Sequence, residues 1–308
     1  MFGRPRSPKV WAGIRGEQIA EKQRPGRFLA RVTRGARATI VPSFWRERRG
    51  MMAGMSLEFV DVATARAARG VRMVVSGLVP SPWSEAAKGV FHVQRIPVLA
   101  VRSAGEDPEL AAFARADNVP VVLHDDDPPR TNWAQIVMLA DRLGTPGLLV
   151  PMDLERRARM IGLIHELAGE DGLGWCTRLR MIEASLTTEG AQGFPLPVAR
   201  YLAPKYGHSS ERAAWAQGRM RQVMRGVSEA LGEADYHGGH TPNALDVYSA
   251  TFLTAMTVIS EEDCPEMALP LRKAFAVPRE ELANEVPEAL LAHRLRMFDR
   301  HLAWPIAL

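Results

Sequence analysis

Ser81-Pro82 stands between a Val-rich apolar run, Val71 to Ser76, and a stretch in which Ala86, Ala87, Val90 and Phe91 recur at helical spacing. Serine before proline at such a junction predicts a helix start. The Ser hydroxyl would accept from an orphan backbone N–H, and the proline is preset for the first helical position. The same hydroxyl can instead donate to an anion, which the positive end of the helix also favours. A thiol with its usual pKa of about 8.5 is largely protonated at neutral pH, so a depression of one or two units would make thiolate abundant without a catalytic base. The residues alone leave both roles open for Ser81, cap and thiolate donor, and Ser84 is a second candidate donor. Position 81 is not cysteine, so mixed-disulfide chemistry on this side chain is not expected.

Other residue groupings do not carry the spacing of a reactive site. His165-Glu166 resembles half of a zinc-protease helix, but the second His four residues on is missing. Asp125-Asp126-Asp127 before Pro128-Pro129 reads as a solvated turn. Only Cys176 and Cys264 are present, outside any Cys-x-x-Cys spacing, so neither a disulfide framework nor a cysteine zinc site is expected. No metal is assigned.

The elements that must position Ser81 follow from periodicity and punctuation. Val71 to Ser76 reads as a buried strand, Pro82 to about Val93 as a helix, and Val98 to Val101 as a second strand. Asp107-Pro108 starts a short helix through Ala114, Val119 to His124 is a third strand, Asp125 to Pro129 a turn, and Asn132 caps a helix to Leu143. Beyond a linker, Gly144 to Met152, the pattern is helical throughout. Leu154, Ala158, Ile161, Ile164 and Ala168 repeat at threes and fours, with further helices over Glu211 to Leu231, Asn243 to Ile259 and Pro287 to Leu302. Asn243-Ala244-Leu245-Asp246 has the spacing of a capping box, each side chain satisfying the other's backbone N–H.

Ser81 to Phe91 (SPWSEAAKGVF), Asn118 to Leu123 (NVPVVL) and the capping box at Asn243 resemble the cytosolic glutathione S-transferases, over about residues 70 to 308. The resemblance implies a thioredoxin-like α/β domain over 56–145 that holds glutathione, then an all-helical domain over 153–308 that holds an electrophile. It implies that Ser81 activates the thiol, as in serine-using members, with Pro82 and Trp83 beside it. It also implies a cis bond at Val119-Pro120, and that the Val119 backbone pairs with the cysteinyl part of glutathione in strand fashion. Thr131-Asn132 occupy the places where the family has Glu-Ser, so Asn132 would cap the helix and donate to the γ-glutamyl carboxylate. The Glu that would meet the ligand's ammonium is absent, and Arg130 would enlarge the anion site. Trp175, Arg178, Met181 and Tyr248 would line the electrophile pocket, although core packing accounts for each equally well taken singly. A homodimer is implied.

Length and composition agree with this reading and exclude others. At 308 residues, 46% hydrophobic and 24% charged, the chain matches a soluble protein of about two domains. No stretch reaches the ~20 apolar residues of a membrane span, and no apolar core of a secretory signal follows the first arginines. Residues 1–50 hold 13 Lys+Arg against 3 Asp+Glu, so the basic charge belongs to this segment and the rest is net acidic. Such an arm fits a nucleic-acid tail or a targeting peptide in composition. The expectation is a disordered extension over 1–55, with the authentic start near Met51, Met52 or Met55 and no nucleic-acid partner. A reducing, cytoplasmic setting is expected. The expected activity is addition of a thiolate, glutathione's, to a hydrophobic electrophile. The alternatives are glutathione-dependent isomerisation or dehalogenation, and a non-catalytic binding protein on the same fold.

Overall fold

The computed structural model describes residues 57–308 apart from positions 106, 258 and 283. The basic segment and Met51, Met52 and Met55 lie outside the described residues.

The first half alternates strands and helices: β1 (Leu57–Phe59), α1 (Val62–Ala67), β2 (Val71–Ser76), α2 (Pro82–Val93), β3 (Val98–Ser103), α3 (Pro108–Ala114), β4 (Val121–His124) and α4 (Trp133–Leu143). The sheet order is β1-β3-β2-β4. β2 runs parallel to β3, with Val71 opposite Val98, and antiparallel to β4, with Val74 opposite Val121. Alternation along β2 sorts the two faces. Met73 and Val75 join Val90 and Phe91 of α2 and Ile136 and Leu139 of α4. Val74 joins Ala65 of α1 and Leu110 and Ala114 of α3 on the other face. Buried Arg72 is held at the edge of this core by its two terminal nitrogens, which donate to the carbonyls of Ala68 and Asp125, each at 2.8 Å, while its Nε has no partner.

β1 and α1 go beyond the sequence expectation. Three and six residues long, they are too short to show a period, and tertiary contact holds them in place. β1 pairs with the outer edge of β3, and α1 buries Ala65 against Val74 and Val101.

The second half is helical: α5 (Leu154–Ala168), α6 (Leu173–Thr187), α7 (Leu196–Lys205), α8 (Ser210–Leu231), α9 (Ala244–Phe252) with a 3-10 turn over Leu253–Met256, α10 (Leu269–Ala274), α11 (Ala276–Leu282) and α12 (Glu288–Arg300). All nine residues of α9 are buried. The expected capping box is present: Asn243 accepts from the N–H groups of Leu245 (2.8 Å) and Asp246 (3.4 Å), and Asp246 accepts from that of Asn243 (2.8 Å). The helix expected to reach Ile259 gives way to the tighter turn after Phe252.

The two halves meet where α2 lies on α9. A Cβ at Gly89 would sit 2.7 Å from Val247 Cγ1 and 3.0 Å from Leu302 Cδ2, so glycine is what lets the helices approach this closely. Trp83 pins the seam at one end. Its indole N–H donates to the Ala168 carbonyl at 2.9 Å, and its ring meets Phe252 edge-on at 5.2 Å.

Candidate functional site

From the end of β2 the chain turns through Gly77 to Ser81 at the N-terminus of the twelve-residue α2. The Ser81 N–H donates to Val79 O at 2.7 Å, and its carbonyl accepts the Glu85 N–H at 2.8 Å. Contrary to the expected cap, the side chain makes no capping hydrogen bond. A half-buried hydroxyl is therefore left at the positive end of the helix with no backbone N–H competing for it.

Register brings the other expected elements to the same end of the sheet. Because Val74 of β2 faces Val121 of β4 in antiparallel fashion, Val119-Pro120 falls level with the last residues of β2. This peptide bond is cis, as expected. Arg130 bridges antiparallel to Val122, so Asn132, two residues on, comes back level with Pro120. Asn132 caps α4 through its side-chain oxygen, which accepts from Ala134 N–H at 2.8 Å. The amide NH2 thus remains as a donor, and Thr131 beside it is exposed. Arg130 does not add free charge: its guanidinium sits 2.9 Å from the Asp127 carboxylate and also donates to Pro128 O. That pairing offsets the charge expected of Arg130 in an anion site.

On the helical side, Lys205 of α7 donates to the Asn118 side-chain oxygen at 2.7 Å, joining α7 to the loop just before Val119. Trp175 donates from its indole to Tyr206 O at 3.1 Å and meets the Tyr206 ring edge-on at 4.7 Å. The buried guanidinium of Arg178 lies 5.5 Å from Phe194 and Phe275 and 6.0 Å from the Trp83 ring. Burial lowers its pKa, a shift opposed by Tyr206. Burial, and then Arg178, pull the Lys205 pKa down. Lys205 thus reaches the Asn118 loop, while Trp175 and Arg178 gather about the neighbouring Tyr206. The hollow of about 430 Å³ bordered by Arg69, Val71, Val98 and His124 lies at the opposite end of β2 and β3 and is separate from Ser81.

This architecture is similar to three solved structures. One is a Tau class glutathione S-transferase from mango, Mangifera indica (18% identity, TM-score 0.50, 76% of this chain and 90% of that one). The others, each with glutathione bound, are a glutathione S-transferase from Methylobacillus flagellatus (14%, TM-score 0.50, 75% and 96%) and a theta class enzyme from the citrus canker pathogen Xanthomonas axonopodis pv. citri (16%, TM-score 0.50, 76% and 94%). The chain has the glutathione transferase fold. No sequence-family profile matches it, and no curated protein matches it in sequence.

Within the glutathione transferase fold, several expected site residues turn out to have other work. Ser84 is fully buried and its Oγ accepts the Ser76 N–H at 3.1 Å, so it ties α2 to the end of β2 and does not face a ligand. Trp83 belongs to the seam. Pro82 is buried at the first helical turn. Tyr248 is 1% exposed and packs on Phe252 and Trp133 at centroid distances of 5.8 and 6.2 Å. Burial drives its phenol pKa up, which makes it core and not pocket lining. Met181 is likewise wholly buried. Lys205 and Asn118, by contrast, escape the sequence reading. A lysine near the end of a helix carries no sequence signal of reaching another domain, although Asn118 directly precedes the Val119-Pro120 motif.

Proposed function

We propose that this chain binds glutathione at the Ser81 end of the sheet and presents its thiolate to a hydrophobic electrophile held beside Trp175. The observation that carries the proposal is the half-buried Ser81 hydroxyl, uncommitted to capping, at the N-terminus of α2 and beside the cis Val119-Pro120 strand end. Glutathione bound in structurally similar proteins supports the choice of thiol. Backbone groups of Val119 would pair with the cysteinyl part, the Asn132 amide would meet the γ-glutamyl carboxylate, and Ser81 would donate to the sulfur as charge develops. No protein base is needed, because the thiolate forms by stabilisation.

With Thr131 in place of an acid and Arg130 paired to Asp127, the γ-glutamyl end has fewer partners, and weak binding is expected. Asn132→Ala should remove one charge-assisted bond, about 1.5–3 kcal/mol or roughly ten- to hundredfold in affinity by calorimetry. Ser81→Ala should raise the pKa of the bound thiol, read from thiolate absorbance against pH. It should slow conjugation by about a hundred- to thousandfold. A folded Ser81→Ala protein with unchanged thiol pKa and turnover would overturn the assignment. Absence of glutathione binding to the wild type would favour the binding-protein reading of the same fold. The two cysteines are free and buried apart from each other, which fits the reducing cytoplasm we propose as its setting. The chain is proposed to act as a homodimer, tested by light scattering. Among the described residues no helix is long and apolar enough to cross a membrane.

A further inference from the structure

Away from the thiol site, the turn between α8 and α9 folds His237 against Asp246 of α9 and His293 of α12. Asp246 and His293 are both 0% exposed, with Nε2 2.7 Å from Oδ1. The same carboxylate accepts the backbone N–H groups of His237 (2.7 Å), Gly238 (3.1 Å) and Asn243 (2.8 Å). Both ring nitrogens of His237 and Nδ1 of His293 are buried without a hydrogen-bond partner. The two rings meet edge-on, 5.4 Å apart.

A buried imidazole with no hydrogen-bond partner, His237, set beside a buried carboxylate–imidazole pair is a specific anomaly, and an ion between them would engage one of its two ring nitrogens. Leaving such atoms unsatisfied costs about 1–3 kcal/mol apiece, and native proteins resolve that by a water or an ion. Here the donor set decides between them. One donor atom from each of His237, Asp246 and His293 lies within 4.8 Å of the other two, the one such cluster among the described residues. Two neutral imidazoles and one carboxylate, fixed by backbone N–H groups, suit a borderline divalent ion and orient it well.

We propose that His237, Asp246 and His293 bind a divalent transition-metal ion of the zinc class, clamping the turn, α9 and α12 together. With His293 Nδ1 carrying its own hydrogen, the ion replaces the proton shared by His293 Nε2 and Asp246 Oδ1; that proton passes to solvent and leaves a neutral imidazole and a carboxylate as ligands. Donors on one tetrahedral zinc lie roughly 3.4 Å apart, so the His237 ring has to swing inward by on the order of 1 Å. It is free to do so because its ring nitrogens make no hydrogen bond. Asp246 keeps its three backbone N–H bonds, and water completes the shell.

The full chain is titrated with Co2+, watched by its visible absorption, and then with Zn2+. We expect one Co2+ per chain with the bands of a low-symmetry site, displacement by Zn2+, release of about one proton and a higher melting temperature with Zn2+. His237→Gln removes a ligand and touches none of the Asp246 hydrogen bonds, so it should fold as wild type by circular dichroism and bind at least about tenfold more weakly. His293→Gln should lose the bands too. Wild type that takes up no more Co2+ than His237→Gln, or shows no bands, would overturn the proposal and leave water as the partner of these rings.

Discussion

Replacing Gly89 by alanine tests the seam between the two halves. The added methyl would lie 2.7 Å from Val247 Cγ1 and 3.0 Å from Leu302 Cδ2, where carbon atoms prefer about 3.5–4.0 Å. Val247 is itself wholly buried and Leu302 nearly so, so something in the seam has to give by on the order of 1 Å. Overpacking of this kind costs about 1–3 kcal/mol. Against it stands the helix preference for alanine over glycine, about 1 kcal/mol in a helix interior. A control separates the two contributions. Gly226 lies inside α8, and a Cβ added there would meet nothing within 4 Å, so Gly226→Ala should gain the propensity with no clash. The melting temperatures of the two variants should then differ by the packing contribution alone, about 1–3 kcal/mol, or on the order of 2–12 °C for a chain of this size. Thermal melts by circular dichroism at one protein concentration provide the measurement. Equal shifts for Gly89→Ala and Gly226→Ala would refute the close contact between α2 and α9.

Trp83→Phe keeps most of the ring contact with Phe252 but leaves the Ala168 carbonyl without its donor, so stability should fall by about 1–3 kcal/mol in denaturant titrations. Burial raises the thiol pKa of Cys176 to about 12 and that of Cys264 to about 11. A folded sample at pH 8 should therefore show neither thiol reacting with a chromogenic disulfide, and a sample in denaturant should show both. Arg130→Gln should leave glutathione affinity within about twofold, because the part-buried Arg130 guanidinium is already paired with Asp127. A tenfold loss would restore Arg130 to the anion site.

Legibility follows how local the signal is. β2, α2, β3, α3, β4 and α4 are readable because each joins an apolar period to a cap or proline, and the box at Asn243 and Asp246 is a four-residue motif. β1 and α1 are not, being short segments held by β3 and the lower face of the sheet. The helices α6, α7, α10 and α11 are covered only by a general helical reading, since loops rich in Gly and Pro interrupt them. At the site, Ser81 and Val119-Pro120 are placed by neighbours in sequence, and the structure sets them at one end of the sheet. Ser84, Trp83 and Tyr248 have contacts that the sequence did not signal, because a motif tells which residues sit near a turn, not which way each side chain points. Ser84 faces the strand, Trp83 the other half of the molecule, and Tyr248 the core. The cluster of His237, Asp246 and His293 is invisible in the sequence because its members come from three elements that meet only through tertiary packing.

The indole bond from Trp83 to Ala168 has a consequence for how this protein can diversify. The turn bearing Ser81 takes its position from the Ala168 carbonyl on the far side of the seam, and Gly174, Phe252 and Trp83 form a set in which a larger residue at one place needs a smaller one at another; a Cβ at Gly174 would already sit 2.6 Å from Phe252 and 2.8 Å from Trp83. Trp175 and Lys205 stand outside that set. Substitutions at those two positions are therefore expected to leave the placement of the hydroxyl undisturbed.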